Sequence, residues 1–303
     1  MRHVTAIALT LAAVVVCSAV RAQDLEPRAY SNSPIGLNFL IAGYTYAKGS
    51  VLTDPSLPLE NVSNEAHVEV LAYVRTLNVL GQSAKIDVIV PFTSLAAKGV
   101  VFGVPRARYV NGFSDPAFRF SMNFIGAPAL TAAQFKDYHQ DLILGASLRI
   151  VVPVGQYDDT KLVNIGTNRW SFKPEIGVSK AFGRWTLELA PAAVFYTDNS
   201  DFFGGKTRAQ APIYSVQSHL TYTLAPSCWL GVDAGYFVGG HTTVNDLTNN
   251  DRQEGPRFGA TLALPVTRNH SVKIYAQTGF NADREHDFDT VGIAWQYRWG
   301  GGF

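Results

Sequence analysis

Leu142-Ile143-Leu144-Gly145-Ala146-Ser147-Leu148-Arg149-Ile150-Val151-Val152 alternates along most of its length. Its even positions are all apolar, and its odd positions include Gly145, Ser147 and Arg149. A period of two places the apolar set on one face of a β-strand and the polar set on the other. The pattern recurs in Ala84–Phe92, Phe118–Phe124, Val272–Phe280 and Val291–Trp299. Twelve such segments are predicted, at 36–50, 66–77, 83–95, 114–126, 140–154, 169–180, 185–197, 212–224, 228–239, 255–264, 270–281 and 289–299. Several exceed the ~9–11 residues that a tilted strand needs to cross a bilayer.

The connections carry more information than the segments. Long connections, 51–65, 96–113, 155–168, 198–211 and 240–254, follow every second segment. Those between them, 78–82, 181–184, 225–227 and 265–269, are tight. Long loops at one end and short turns at the other mark a transmembrane barrel. The fold class is therefore all-β, an antiparallel up-and-down barrel of about twelve strands with both termini on the periplasmic side. Residues 127–139 break the rule, being long on the short-turn side. There Thr131 and Gln134 have capping-box spacing, which predicts a single helical turn.

Composition agrees with this class. Charged residues make up 16% of the chain and aromatics 12%, against about 25% charged in ordinary soluble domains. A wall facing lipid needs no charge. The chain carries 25 Lys and Arg against 24 Asp and Glu, which gives no electrostatic case for a nucleic-acid partner. Met1-Arg2-His3, the apolar run Ala6–Val16 and the small-residue exit Val20-Arg21-Ala22 read as a signal peptide, 1–22, cleaved near Ala22. Residues 23–35 form a short periplasmic or lumenal segment, and 36–303 the outer-membrane barrel. After cleavage only Cys228 remains, so no internal disulfide is expected.

Aromatic residues gather near strand ends: Tyr44, Tyr46, Trp170, Phe172, Trp185, Phe195, Tyr196, Tyr236 and Trp299. Rings at both edges of an apolar band match interfacial girdles. Outer-membrane lipid is thus one expected partner. The outer-membrane assembly machinery is another, reading the C-terminal strand at Trp299 or Phe303.

Several stretches resemble a known family: Leu25-Glu26-Pro27-Arg28-Ala29-Tyr30, Pro34-Ile35-Gly36-Leu37-Asn38-Phe39, Asp115-Pro116, Gly155-Gln156-Tyr157, Asn168-Arg169-Trp170-Ser171-Phe172-Lys173-Pro174 and Trp295-Gln296-Tyr297-Arg298-Trp299. Together they resemble the outer-membrane transporter family named after the meta pathway of phenol degradation (the MetA-pathway family). The resemblance covers essentially all of the chain after residue 24. It implies passage of small aromatic or hydrophobic organic molecules.

Sites for catalysis are sparse. No His-x-Ser arrangement of a barrel hydrolase occurs, and His270-Ser271 are adjacent, so they point to opposite faces of a strand. No His-x₃-His or paired cysteines offer metal spacing. No enzyme activity, metal or cofactor is expected. Parity places Glu69, Arg75, Lys85, Asp87, Asp233 and Arg298 inward. It also places inward the candidate constriction residues Arg119, Arg149, Lys173, Glu175, Glu188, Arg257 and Lys273. Two readings follow. These residues line a diffusion path for small organic solutes, or they pair and fill a closed barrel that acts through its long loops. A barrel-embedded hydrolase is a third and weaker alternative.

Overall fold

The tight turns pin the architecture. In the computed structural model, Val79 pairs with Gln82 across Leu80-Gly81, whose φ values are 52° and 80°. Both are left-handed, as a type I′ hairpin turn demands. The Asn78 side chain accepts the Gly81 N–H at 2.9 Å. The structure describes residues 25–50, 59–101, 103–161, 163–279 and 288–302. The signal-peptide segment, residues 283–287 and Phe303 lie outside them.

In chain order the strands begin with β1 (Leu37–Ser50), β2 (Leu59–Val79), β3 (Gln82–Val101), β4 (Val104–Phe113), β5 (Ala117–Ile125) and β6 (Leu142–Val151). Next come β7 (Ser171–Phe182), β8 (Trp185–Tyr196), β9 (Asn199–Phe202), β10 (Lys206–Gln210), β11 (Ile213–Ala225) and β12 (Cys228–Gly239). The last are β13 (Thr242–Val244), β14 (Leu247–Thr248), β15 (Gln253–Pro265), β16 (His270–Gly279) and β17 (Phe288–Gly300). Twelve of these form one closed antiparallel sheet. Its order is β2-β1-β17-β16-β15-β12-β11-β8-β7-β6-β5-β3, and the β2–β3 pairing closes it. Each predicted segment overlaps one barrel strand.

The long connections hold strands that the sequence reading treats as loops. Residues Phe92 to Val101 of β3 pair with β4, whereas its lower half pairs with β5. A second sheet, β14-β13-β10-β9, is built from two other connections. Its apolar cluster is Phe202 and Val244, with Phe203 packed against them. Strands of two to five residues are too short to show a period.

The outer wall is apolar. Leu187, Leu189, Val216, Leu220, Leu230, Val232, Phe258, Ile274 and Ile293 are all exposed on it, where lipid covers them. Trp185 meets Tyr222 at 4.7 Å between ring centroids. His270, Trp295, Tyr297 and Trp299 form a stacked ladder. One stretch is reversed. Thr76 turns inward, since its hydroxyl donates to Pro34 O and accepts from Leu37 N. The even positions of β2 are therefore inner, and Ala66 and Val68 pack there against Ala47, Val70 and Leu95. Glu69 and Arg75 consequently face outward and are exposed, contrary to the parity reading. The sequence assumption that polar means inward fails where the inner face itself is apolar. Tyr196 also departs from the girdle, because the Arg169 guanidinium lies 4.4 Å over its ring.

Candidate functional site

Residues 25–36 precede β1 and run inside the barrel, because their partners lie on opposite walls. Gln277 on β16 donates to Leu25 O at 3.4 Å. Gln217 on β11 accepts from Glu26 N at 3.2 Å. Glu188 on β8 accepts from Arg28 N at 2.6 Å. Lys85 on β3 donates to Ala29 O and Ser31 O at 2.9 and 3.1 Å. Asn123 on β5 donates to Tyr30 O at 3.0 Å. The Arg28 guanidinium sits 5.5 Å over Trp229, which therefore faces inward despite its size.

Glycines make room for this segment. Gly145 and Gly177 are direct cross-strand partners on β6 and β7. A Cβ at Gly177 would lie 2.0 Å from the Tyr30 ring. The ring is 3% exposed. Its hydroxyl donates to Glu175 at 2.9 Å and lies 3.4 Å from the Ser147 hydroxyl. Gly235 and Gly259 receive Leu25 in the same way, with Cβ contacts of 3.1 Å. Between segment and wall, a cavity of about 10 Å³ remains beside Glu26, Tyr30, Glu188 and His219, room for about one water.

The segment is latched where it joins β1. Ile35 N donates to Leu130 O, and Gly36 N to Thr76 O. Asn32 donates to Pro128 O at 3.2 Å. The Leu130 and Pro128 carbonyls belong to the unusual connection 127–139, whose 3-10 turn spans Gln134–Asp137. Thr131 N donates to Gln134 Oε1 at 2.9 Å, and Gln134 N donates to Thr131 Oγ1 at 3.4 Å. This is the reciprocal capping box. The long turn on the short-turn side thus braces the lumenal segment.

One row of charges crosses the inner wall. Asp87, Arg119, Arg149 and Lys173 are successive cross-strand partners on β3, β5, β6 and β7. Arg119 pairs through Nε with Asp87 at 2.5 Å, and Lys173 with Glu175 at 3.1 Å. Glu26 of the segment comes down on this row. It forms an ion pair with Arg119 and lies 3.8 Å from Arg149. Burial alone would raise its carboxyl pKa. The cations of Arg119, Arg149 and Lys173 outweigh that and hold it well below the usual carboxylate range.

A second row lies on β7, β8, β11 and β12. Ser179, Glu188, His219 and Asp233 are successive partners, each at most 4% exposed. His219 Nδ1 and Asp233 Oδ1 are 2.7 Å apart, and Thr261 donates to the other Asp233 oxygen at 3.2 Å. Arg257 is buried at 5%, with its guanidinium 5.8 Å from the Phe237 ring centroid. Lys273 is exposed and lies 5.7 Å from the Tyr275 ring centroid. Arg298 donates to Arg268 O near the chain terminus. The structure thus brings Arg119, Arg149, Lys173, Glu175 and Glu188 together around the segment. Arg257 and Lys273 stand on β15 and β16, apart from the Glu26 row.

The sequence reading missed Glu26, Tyr30, the glycine socket and His219. His219 had a signal: the tight turn 225–227 sets the β11–β12 register, which puts it beside the inward Asp233. Among the described residues, no group of three or more His, Cys, Asp or Glu could hold a metal.

At the long-loop end, Asp115 organises residues 155–168. Its carboxylate accepts from Gly155 N at 2.9 Å, Thr167 N at 2.8 Å and Thr167 Oγ1 at 2.7 Å. Asp115→Ala removes all three bonds to a buried acceptor, a local loss of about 1.5–3 kcal/mol for each charged contact at most. The expected result is protease cleavage within 155–168 while the barrel resists. An uncut loop under conditions that cleave a flexible control would overturn this.

A family model described as "Putative MetA-pathway of phenol degradation" matches residues 47–297. No curated protein matches the sequence. The COG4313 outer membrane channel from Pseudomonas putida F1 is similar in structure, with a TM-score of 0.76 at 18% identity over 91% of this chain and 100% of that one. The transport unit of the autotransporter AIDA-I from Escherichia coli gives a TM-score of 0.54 at 9% identity, over 91% of this chain and 92% of that one. The beta domain of the Bordetella autotransporter BrkA gives 0.50 at 10% identity, over 88% and 99%. These likenesses are to the barrel fold.

Proposed function

The chain belongs to the MetA-pathway family of phenol degradation, and from that premise we propose that it is a diffusion channel for small aromatic or hydrophobic organic molecules. The observation that carries this reading is the lumen itself. Its wall is lined with charged side chains, and the segment that precedes β1 occupies it. A barrel needed only as a scaffold could fill its interior with wall side chains alone. We read a lumen closed by a docked peptide, rather than by wall side chains, as one built to be opened.

The wall offers solutes two kinds of surface. β2 and β3 present Ala66, Val68, Val70 and Leu95. β5, β6 and β7 present Arg119, Arg149 and Lys173. Amphipathic solutes can use both at once. Solute passage is measured by swelling of liposomes that hold the purified protein, with aromatic acids and alcohols as probes. Swelling faster than with empty liposomes is expected. No swelling from the unmodified protein or from one lacking residues 25–33 would favour the closed barrel that acts through its outer loops.

A further inference from the structure

We propose that Arg119, Arg149 and Lys173 form a binding subsite for the carboxylate of a small organic monoanion, and that Glu26 occupies it as a built-in substitute. This rests on the channel reading and names the substrate class for it.

The argument begins with the wall charges. The row carries three cations, from Arg119, Arg149 and Lys173. It also carries Asp87, and Glu175 lies beside it on β7; both wall carboxylates are already engaged. Asp87 is held by Arg119 Nε. Glu175 is held by Lys173 and by the Tyr30 hydroxyl. The third carboxylate comes from the lumenal segment, where Glu26 meets Arg119 and Arg149. When the segment leaves, the row loses one negative charge and keeps its three cations. Guanidinium groups present planar donor forks that match a carboxylate, so the vacated position selects for that chemistry.

The neighbouring surface fits the rest of such a ligand. Below Arg149 and Lys173, on the same two strands, lie Ser147 and Glu175, then Gly145 and Gly177. That glycine pair holds a flat ring, the Tyr30 side chain, flush against the wall. The segment therefore offers the wall a carboxylate and an aromatic ring from residues four apart. A free aromatic carboxylate carries the same two groups.

Benzoate is the probe, with benzyl alcohol as the uncharged control of similar shape. Binding is measured by calorimetry on the full chain in detergent, which does not depend on conduction. Glu26→Gln keeps the segment's size and removes its charge, so benzoate should bind about tenfold tighter to it than to the unmodified protein. Benzyl alcohol should bind the two alike. Adding Arg149→Gln, or Lys173→Gln if the first does not fold, should return benzoate to the weaker level. Arg119 is left intact because its loss would strand Asp87. Equal benzoate affinity with and without Glu26, or tight binding that survives the loss of the cation, overturns the proposal. Failure of the channel reading shows separately, as absence of solute passage in liposomes.

Discussion

Deleting residues 25–33 raises single-channel conductance in planar bilayers by about threefold or more, because an empty twelve-stranded barrel is intermediate between filled eight-stranded and open sixteen-stranded ones. The deletion removes the Leu25 and Tyr30 side chains from their glycine sockets. It also frees the wall groups Lys85, Glu188 and Gln217 from their bonds to the segment. Water can solvate them once the lumen is open, so their loss of partners carries little penalty. The latch at Ile35 and Gly36 and all twelve barrel strands stay. Retained heat-modifiable mobility on gels checks that the barrel is closed. An unchanged conductance in a folded variant would show that the segment does not limit the path.

The second large effect needs one methyl group. Gly177→Ala places a carbon 2.0 to 2.4 Å from three atoms of the Tyr30 ring, and no other residue supplies one of the nearest three contacts. Carbon atoms pack at about 3.5–4.0 Å, so the ring must leave its socket. It gives up its bonds to Glu175 and Ser147 and most of its burial. Overpacking of this kind costs about 1–3 kcal/mol. The expected result is a channel open about tenfold more of the time, with barrel melting unchanged. Tyr30→Ala should open it similarly, and Gly177→Ala should then add nothing, since the collision partner is gone. Additive effects of the two changes would refute the socket.

Much of the barrel was legible because two local rules act at every strand. Alternation sets the faces, and tight turns set the register. Arg119, Arg149, Lys173 and Glu188 follow from those rules alone. Glu69 and Arg75 do not, because the apolar inner face of β2 inverts the usual sign of the pattern. The lumenal segment was illegible for a different reason. Leu25 to Tyr30 has no period, and its wall partners lie from 56 to 252 residues away. Nothing local in Glu26 says that it will meet Arg119. The glycines at 145 and 177 were a missed sign. Two residues without side chains, facing inward on adjacent strands, leave a gap that close packing does not leave empty.

The segment is attached to the barrel at Gly36-Leu37, through Thr76 and Leu130. Its docking is therefore an intramolecular event. On the channel reading, with the chain cleaved near Ala22, a short tether holds the segment beside the wall at an effective concentration on the order of millimolar. A solute that competes for the same wall must then match that figure multiplied by the ratio of its own dissociation constant to the segment's. On that reading a weak solute at micromolar levels leaves the lumen shut, and an abundant or tighter one holds it open. On the channel reading, the shortness of the tether thus raises the concentration at which a solute opens the pore.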